Sequence, residues 1–136
     1  MASTDHSPDL ADLHLLVLDD HQDTRDVFGT ALRSCGANVL TARTARDAVT
    51  IFKTVRLDAI VSDLEMPGED GFWVVDQLRR LALEKGGSIP ALAVTAHWAK
   101  YTSYDAKAAG FDAFLTKPVD PLELCRAVAS LVGRAG

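Results

Sequence analysis

Apolar residues recur along this chain in two alternating rhythms. Short runs rich in Leu, Val, Ile and Ala, at 13–18, 38–42, 58–62, 91–95 and 113–116, read as strands. Between them, apolar positions return every three or four residues, the spacing of one helix face. A helix is predicted over about 21–35, with Val27, Phe28, Ala31, Leu32 and Cys35 as its stripe and Gly36 as a left-handed stop. Thr44 caps a second helix that carries Ala48, Val49, Phe52 and Val55. A third helix is predicted over about 71–84, ending before Gly86-Gly87, and Asp120-Pro121-Leu122-Glu123 opens the last with an N-cap, a first-turn proline and a first-turn acid. The crossover at 97–109 has the poorest stripe, because Trp98, Tyr101 and Tyr104 are interleaved with Lys100, Ser103 and Asp105. Strand and helix alternating five times is the pattern of an α/β fold, a parallel sheet covered on both faces.

The 136 residues, 48% of them hydrophobic, suffice for one domain with a core. Residues 13–132 are assigned to it, 133–136 to a C-terminal tail, and the polar stretch 1–12 to a disordered arm. The formal charge of -5 and the scatter of fourteen basic residues argue against direct binding of nucleic acid or an anionic membrane. No stretch approaches the roughly 18 apolar residues of a membrane span and no secretory leader is recognisable, so a cytoplasmic location is expected. Cys35 and Cys125 fall on apolar helix positions, with neither a CxxC nor a Cys/His spacing, and read as buried free thiols.

The charged residues with chemical promise stand where strands end. Asp19-Asp20 follow the first apolar run, Asp63 the third, and Lys117 the fifth, while Thr95 closes the fourth. In an open parallel sheet, ligands lie outside the carboxyl ends of the strands, where the winding reverses. Two like charges about 4 Å apart repel by roughly 4 kcal/mol at an effective dielectric near 20, so a cluster of carboxylates there anticipates a positive partner. Ligands that are all oxygen point to a hard cation such as Mg²⁺.

Taken in order, Asp19-Asp20, Asp63 with Met66-Pro67-Gly68 behind it, Thr95-Ala96 and Lys117-Pro118 resemble the receiver domain of bacterial two-component response regulators, over about 13–132. The resemblance implies a flavodoxin-like (βα)₅ fold with a five-stranded parallel sheet of order 2-1-3-4-5. It implies that Asp63 accepts phosphate from a phosphohistidine. Asp19, Asp20, Asp63 and the backbone carbonyl of Glu65 would hold Mg²⁺, with Mn²⁺ as a substitute. Lys117 would pair with the phosphoryl group, Thr95 and Phe114 would form the switch, and Glu65 and His97 would tune dephosphorylation. The partners implied are a histidine kinase or histidine phosphotransfer domain, a downstream protein target, and a phosphorylation-dependent dimer. Such a chain is not an enzyme acting on a separate metabolite.

Two positions depart from the family pattern. Phe114 stands where the family commonly places Tyr, and so offers no hydroxyl; Glu65 adds a carboxylate where many relatives are neutral. The chain can be read as a stand-alone regulator or as the receiver of a hybrid sensor kinase. An Mg²⁺-dependent aspartyl-phosphate phosphatase would want a second Asp two positions after a nucleophile on the first strand, where His21 and Gln22 stand instead. A flavin-binding electron carrier would want a first loop rich in Ser, Thr and Gly rather than the acidic one present.

Overall fold

The structure, a computed structural model, describes residues 8–81, 83–97 and 99–134. Its strands are β1 (His14–Leu18), β2 (Asn38–Ala42), β3 (Ala59–Asp63), β4 (Ala91–Thr95) and β5 (Ala113–Thr116). They alternate with helices α1 (Gln22–Ser34), α2 (Ala45–Thr54), α3 (Gly71–Arg79), α4 (Ser103–Ala109) and α5 (Pro121–Leu131). All strand pairs are parallel and the sheet order is β2-β1-β3-β4-β5. β1 therefore sits between β2 and β3, and the winding reverses beside it.

Strand alternation divides the core. Leu15, Val17, Val39, Val61, Leu92 and Val94 face α1 and α5, meeting Leu32, Leu124 and Val128. Leu16, Leu18, Ile60, Ala91 and Ala93 face the other way, meeting Phe52, Val74, Leu78 and Ala106. Fully burying each such Leu, Val or Ile contributes about 1.5–3 kcal/mol. Thr44, Asp70, Thr102 and Asp120 each cap a helix by accepting a backbone N–H. Thr102 and Asp105 make a reciprocal capping box, which explains why α4 forms despite its poor stripe.

Some expectations change. Val27 is 52% exposed, and Phe28, Gly29, Ala31 and Leu32 form the buried face of α1 instead. Val55, placed on the stripe of α2, is its exposed C-cap. Cys125 is buried but Cys35 only half-buried. α3 stops at Arg79 rather than near Glu84, and a 3₁₀ turn follows at Leu83–Lys85. Arg79 explains this: its guanidinium donates to the carbonyls of Gly110 (3.0 Å), Gly87 (3.1 Å) and Ile89 (2.6 Å) and to Asp112 Oδ2 (2.9 Å). The chain beyond α3 must curl round that group to present those carbonyls.

Residues 8–12, expected with the disordered arm, are seated on the domain. Leu10 is completely buried beside α1 and α5, and its N–H donates to the Cys35 carbonyl at 2.8 Å. Arg134 donates to the Ala11 carbonyl at 2.7 Å, tying the two segments together. Residues 1–7 and Trp98 lie outside the described residues.

Candidate functional site

The carboxyl ends of β1, β3 and β5 deliver the charged groups to one place. Asp19 follows β1 and donates its N–H to the Ala42 carbonyl at 3.2 Å, which extends the ladder by one residue and leaves Asp19 only 2% exposed. Arg25 reaches back from α1 to the Asp19 carbonyl at 2.8 Å. Asp63 is the last residue of β3 and 5% exposed. Gly71 opens α3 directly against the Asp63 carbonyl, donating its N–H to the Leu64 carbonyl at 3.1 Å, and a Cβ at Gly71 would collide with that Asp63 oxygen. A residue without a side chain is thus what lets α3 close on the strand end.

Lys117 bridges the two buried acids. Its Nζ is 2.7 Å from Asp19 Oδ2 and 3.4 Å from Asp63 Oδ2, and its N–H donates to the Thr95 carbonyl at 2.8 Å, which ties β5 to the end of β4. Asp63 Oδ1 accepts the Glu65 N–H at 3.3 Å. Burial is the largest influence on Asp63 and raises its pKa above 3.8; Lys117 opposes this, Asp19 adds to it, and the balance stays upward. A more basic carboxylate is a better nucleophile.

Asp20 is half-buried, and its Oδ1 is enclosed with no hydrogen-bond partner among the described residues. Carboxylate oxygens of Asp19, Asp20 and Asp63 and a ring nitrogen of His21 all lie within 4.8 Å of one another. An enclosed carboxylate oxygen without a donor is costly unless a cation completes it. The donor set therefore fits a divalent metal.

Thr95 is fully buried at the end of β4, where its Oγ1 accepts the His97 N–H at 3.0 Å and keeps its own proton to donate. Phe114 pairs in register with Ala93, on the sheet face that carries Thr95, and packs against the cluster under α4. At the rim, Glu65 faces His97 (Oε2 to Nε2, 3.4 Å) and Lys100 (Oε1 to Nζ, 3.3 Å). The sequence singles out Glu65 and His97 but not Lys100, Arg25 or His21. A basic residue on the helix side of each acidic loop is the signal that could have found them.

The chain matches the model described as "Response regulator receiver domain" over residues 15–129. It is 41% identical to an uncharacterized 14.6 kDa protein in the sodA1 3' region of Leptolyngbya boryana, across 88% of this chain and 89% of that one. It is 32% identical to sensor histidine kinase RcsC of Escherichia coli, across 88% of this chain but only 12% of that much longer protein. Among solved structures it superposes on the receiver domain of sensor histidine kinase PA1611 from Pseudomonas aeruginosa, which has a magnesium ion coordinated in its active-site cleft. The TM-score is 0.81, at 28% identity over 90% of this chain and 99% of that one. Sequence match and strand order agree, and the chain belongs to the response regulator receiver domain family.

Proposed function

We propose that this chain is a phosphoacceptor that takes a phosphoryl group from a phosphohistidine onto Asp63 and relays the event to a protein target. The observation that carries the reading is the environment of Asp63: a buried, basic carboxylate with Lys117 at one oxygen and a backbone N–H at the other. In the transfer, the bond from histidine nitrogen to phosphorus breaks as the bond from an Asp63 oxygen to phosphorus forms. Positioning and charge neutralisation supply nearly all the catalysis of such a step.

The chain's own groups divide that work. Lys117 draws one phosphoryl oxygen, relinquishing part of its hold on Asp19. Thr95 donates its free hydroxyl proton to another oxygen by moving toward it, and Phe114, on the same sheet face, follows into the space released. Asp19, Asp20, Asp63 and the Glu65 carbonyl are the groups that would hold Mg²⁺, or Mn²⁺ in its place. The ion would neutralise the approach of an anionic acceptor to an anionic group. Glu65 and His97, facing each other at the rim, flank the route of water to the phosphorus and so bear on the lifetime of the phosphorylated state.

A protein donor suits the site, which lies at an open sheet edge. A cleft of about 850 Å³ lies elsewhere, among Arg56, Leu57, Leu83, Lys85, Ile89 and Pro90. Membership of the receiver family and the likeness to a segment of a sensor histidine kinase support a histidine kinase or phosphotransfer domain as the physiological donor, rather than a metabolite turned over as a separate substrate. The likeness to one segment of RcsC supports a second setting, a receiver within a hybrid kinase. Among the described residues no helix is long and apolar enough to cross a membrane, in keeping with action in the cytoplasm.

Acetyl phosphate with Mg²⁺ should add one phosphoryl group, located at Asp63 by mass spectrometry, and Asp63→Asn should remove it while keeping the fold. Full labelling of that variant would overturn the assignment.

A further inference from the structure

The residue after the acidic pair does something unlike its counterparts at the other helix starts. His21 is the N-cap of α1, yet its side chain makes no capping hydrogen bond, whereas Thr44, Asp70, Thr102 and Asp120 all cap theirs. Histidine is not among the residues preferred at an N-cap, so the position is not explained by the helix. The imidazole turns instead toward the carboxylates. Its Nδ1 is 3.3 Å from Asp19 Oδ1 and 3.2 Å from Asp20 Oδ1, the oxygen left without a hydrogen bond.

Those separations have a meaning for a metal. In an octahedral site with bonds of about 2.1 Å, adjacent ligand atoms are about 3.0 Å apart and opposed ones about 4.2 Å. Nδ1 and the two Asp oxygens thus stand close to adjacent corners of one octahedron. The four atoms lie within 4.8 Å of one another, so the widest pair must draw in by about 0.6 Å to reach the opposed-corner distance on a single ion. Asp19 Oδ2 is committed to Lys117, and Oδ1, which accepts the His21 backbone N–H at 2.9 Å, is the oxygen that faces the imidazole and keeps a lone pair for the ion. His21 is largely exposed, its side chain 70% accessible, so its ring can adjust without disturbing the core.

We infer that His21 is a nitrogen ligand of the cation site, and that it shifts the site's preference from Mg²⁺ toward borderline divalent ions such as Co²⁺ and Ni²⁺, with Mn²⁺ gaining least. This rests on the cation site of the function proposed above and adds an identity for one of its ligands. Carboxylate, carbonyl and water oxygens suit Mg²⁺, whereas imidazole suits later transition metals, whose affinity for nitrogen sites rises along the first row. Oxygen ligands alone leave Mg²⁺ well served; one imidazole in the set favours its competitors. A plain alternative exists in the same geometry. His21 could donate an Nδ1–H to the acids and occupy the space of the ion, in which case it would weaken the binding of every metal.

Calorimetric titration of the full chain with Mg²⁺, Mn²⁺ and Ni²⁺ separates the cases when repeated on His21→Ala and His21→Gln. As a direct ligand, His21 should account for about tenfold or more in Ni²⁺ affinity, with a smaller loss for Mn²⁺, since even groups that only orient metal ligands are worth about 10–100-fold. Mg²⁺ affinity should change by less than about threefold. Electron spin-echo spectra of the Mn²⁺-loaded protein should show ¹⁴N coupling that both variants lose. Equal losses for all three ions, or tighter binding of all three in the variants, would overturn the ligand assignment and leave the cation site intact. If neither the parent chain nor the variants bind any of the three, the cation site itself fails, and with it both readings.

Discussion

The two flanks of the sheet are built to different standards. On one, α1 and α5 spread thirteen and eleven residues over an aliphatic layer in which Leu32, Leu124, Val128 and Ala129 are fully buried. At the corner formed by β4, α4 and β5, the helix has seven residues and buries only Ala106 among them, and every residue of β5 is at least partly exposed. Aromatic rings complete that corner, Phe72 lying 5.2 Å from Tyr101 and 6.5 Å from Phe111 between centroids. Phe114 belongs to the looser corner and Thr95, itself fully buried at the end of β4, borders it; Asp19 and Asp20 lie against the firm flank. A chemical event at the edge between them therefore meets one side that holds its shape and another that can change at small cost, since low burial and few apolar contacts mark segments that open most readily.

Cutting into each side measures the contrast. Leu124→Ala, in the firm flank, should cost about 2–5 kcal/mol in denaturant unfolding. Tyr104→Ala, on α4 and 78% exposed, should stay within about 0.5 kcal/mol. Comparable losses from the two would erase the distinction. Next in size is Thr102→Ala, which removes the α4 capping box and should cost about 1 kcal/mol. Its particular signature is faster amide exchange confined to 103–109; exchange quickened equally in α5 would mean that the corner does not move by itself.

The smallest effect concerns the boundary. Burial holds the folded pKa of Asp63 above the unfolded value, so the folded state favours the protonated acid. The stability this confers is fully present below pH 3.8 and is lost as pH rises through the folded pKa. At neutral pH without metal, Asp63→Asn should consequently stabilise the fold, and that gain should vanish as pH falls toward 3.8. Melting curves of both proteins in EDTA from about pH 3.5 to about 7.5 check it; a gain that grows in acid would reverse the sign.

Legibility in the sequence follows the strands rather than either flank, since Leu10 and Val27, both on the firm side, are misplaced by the pattern. Periodicity locates all five strands to within a residue or so; β1, β3 and β4, buried on both sides, write continuous apolar runs, while β2 and β5 are marked by short apolar runs between turn residues, and the order of the strands comes from the family resemblance rather than from the runs. What periodicity cannot show is anything decided by one side chain acting at a distance. Arg79 shortens α3 by gathering carbonyls from later segments. Leu10 is a lone leucine in a largely polar stretch, and its burial depends on a slot between two helices. At the site, Asp19, Asp20, Asp63 and Lys117 are marked by their position at strand ends, and the structure brings them together. His21 is not marked in that way, because a histidine at a helix start carries no periodic signal; only its direction, toward the acids, singles it out.

The clasp of Leu10 and Arg134 has a bearing on how the molecule can be handled. Both described ends of the chain meet at the amino edge of the sheet, across the domain from the carboxylates. A label, tag or fused protein placed at either end leaves through that one corner, clear of the face a phosphodonor must approach. Two copies strung in series, or one anchored to a surface by its tail, would hold their reactive edges outward, as a key is held by its bow with the teeth left free.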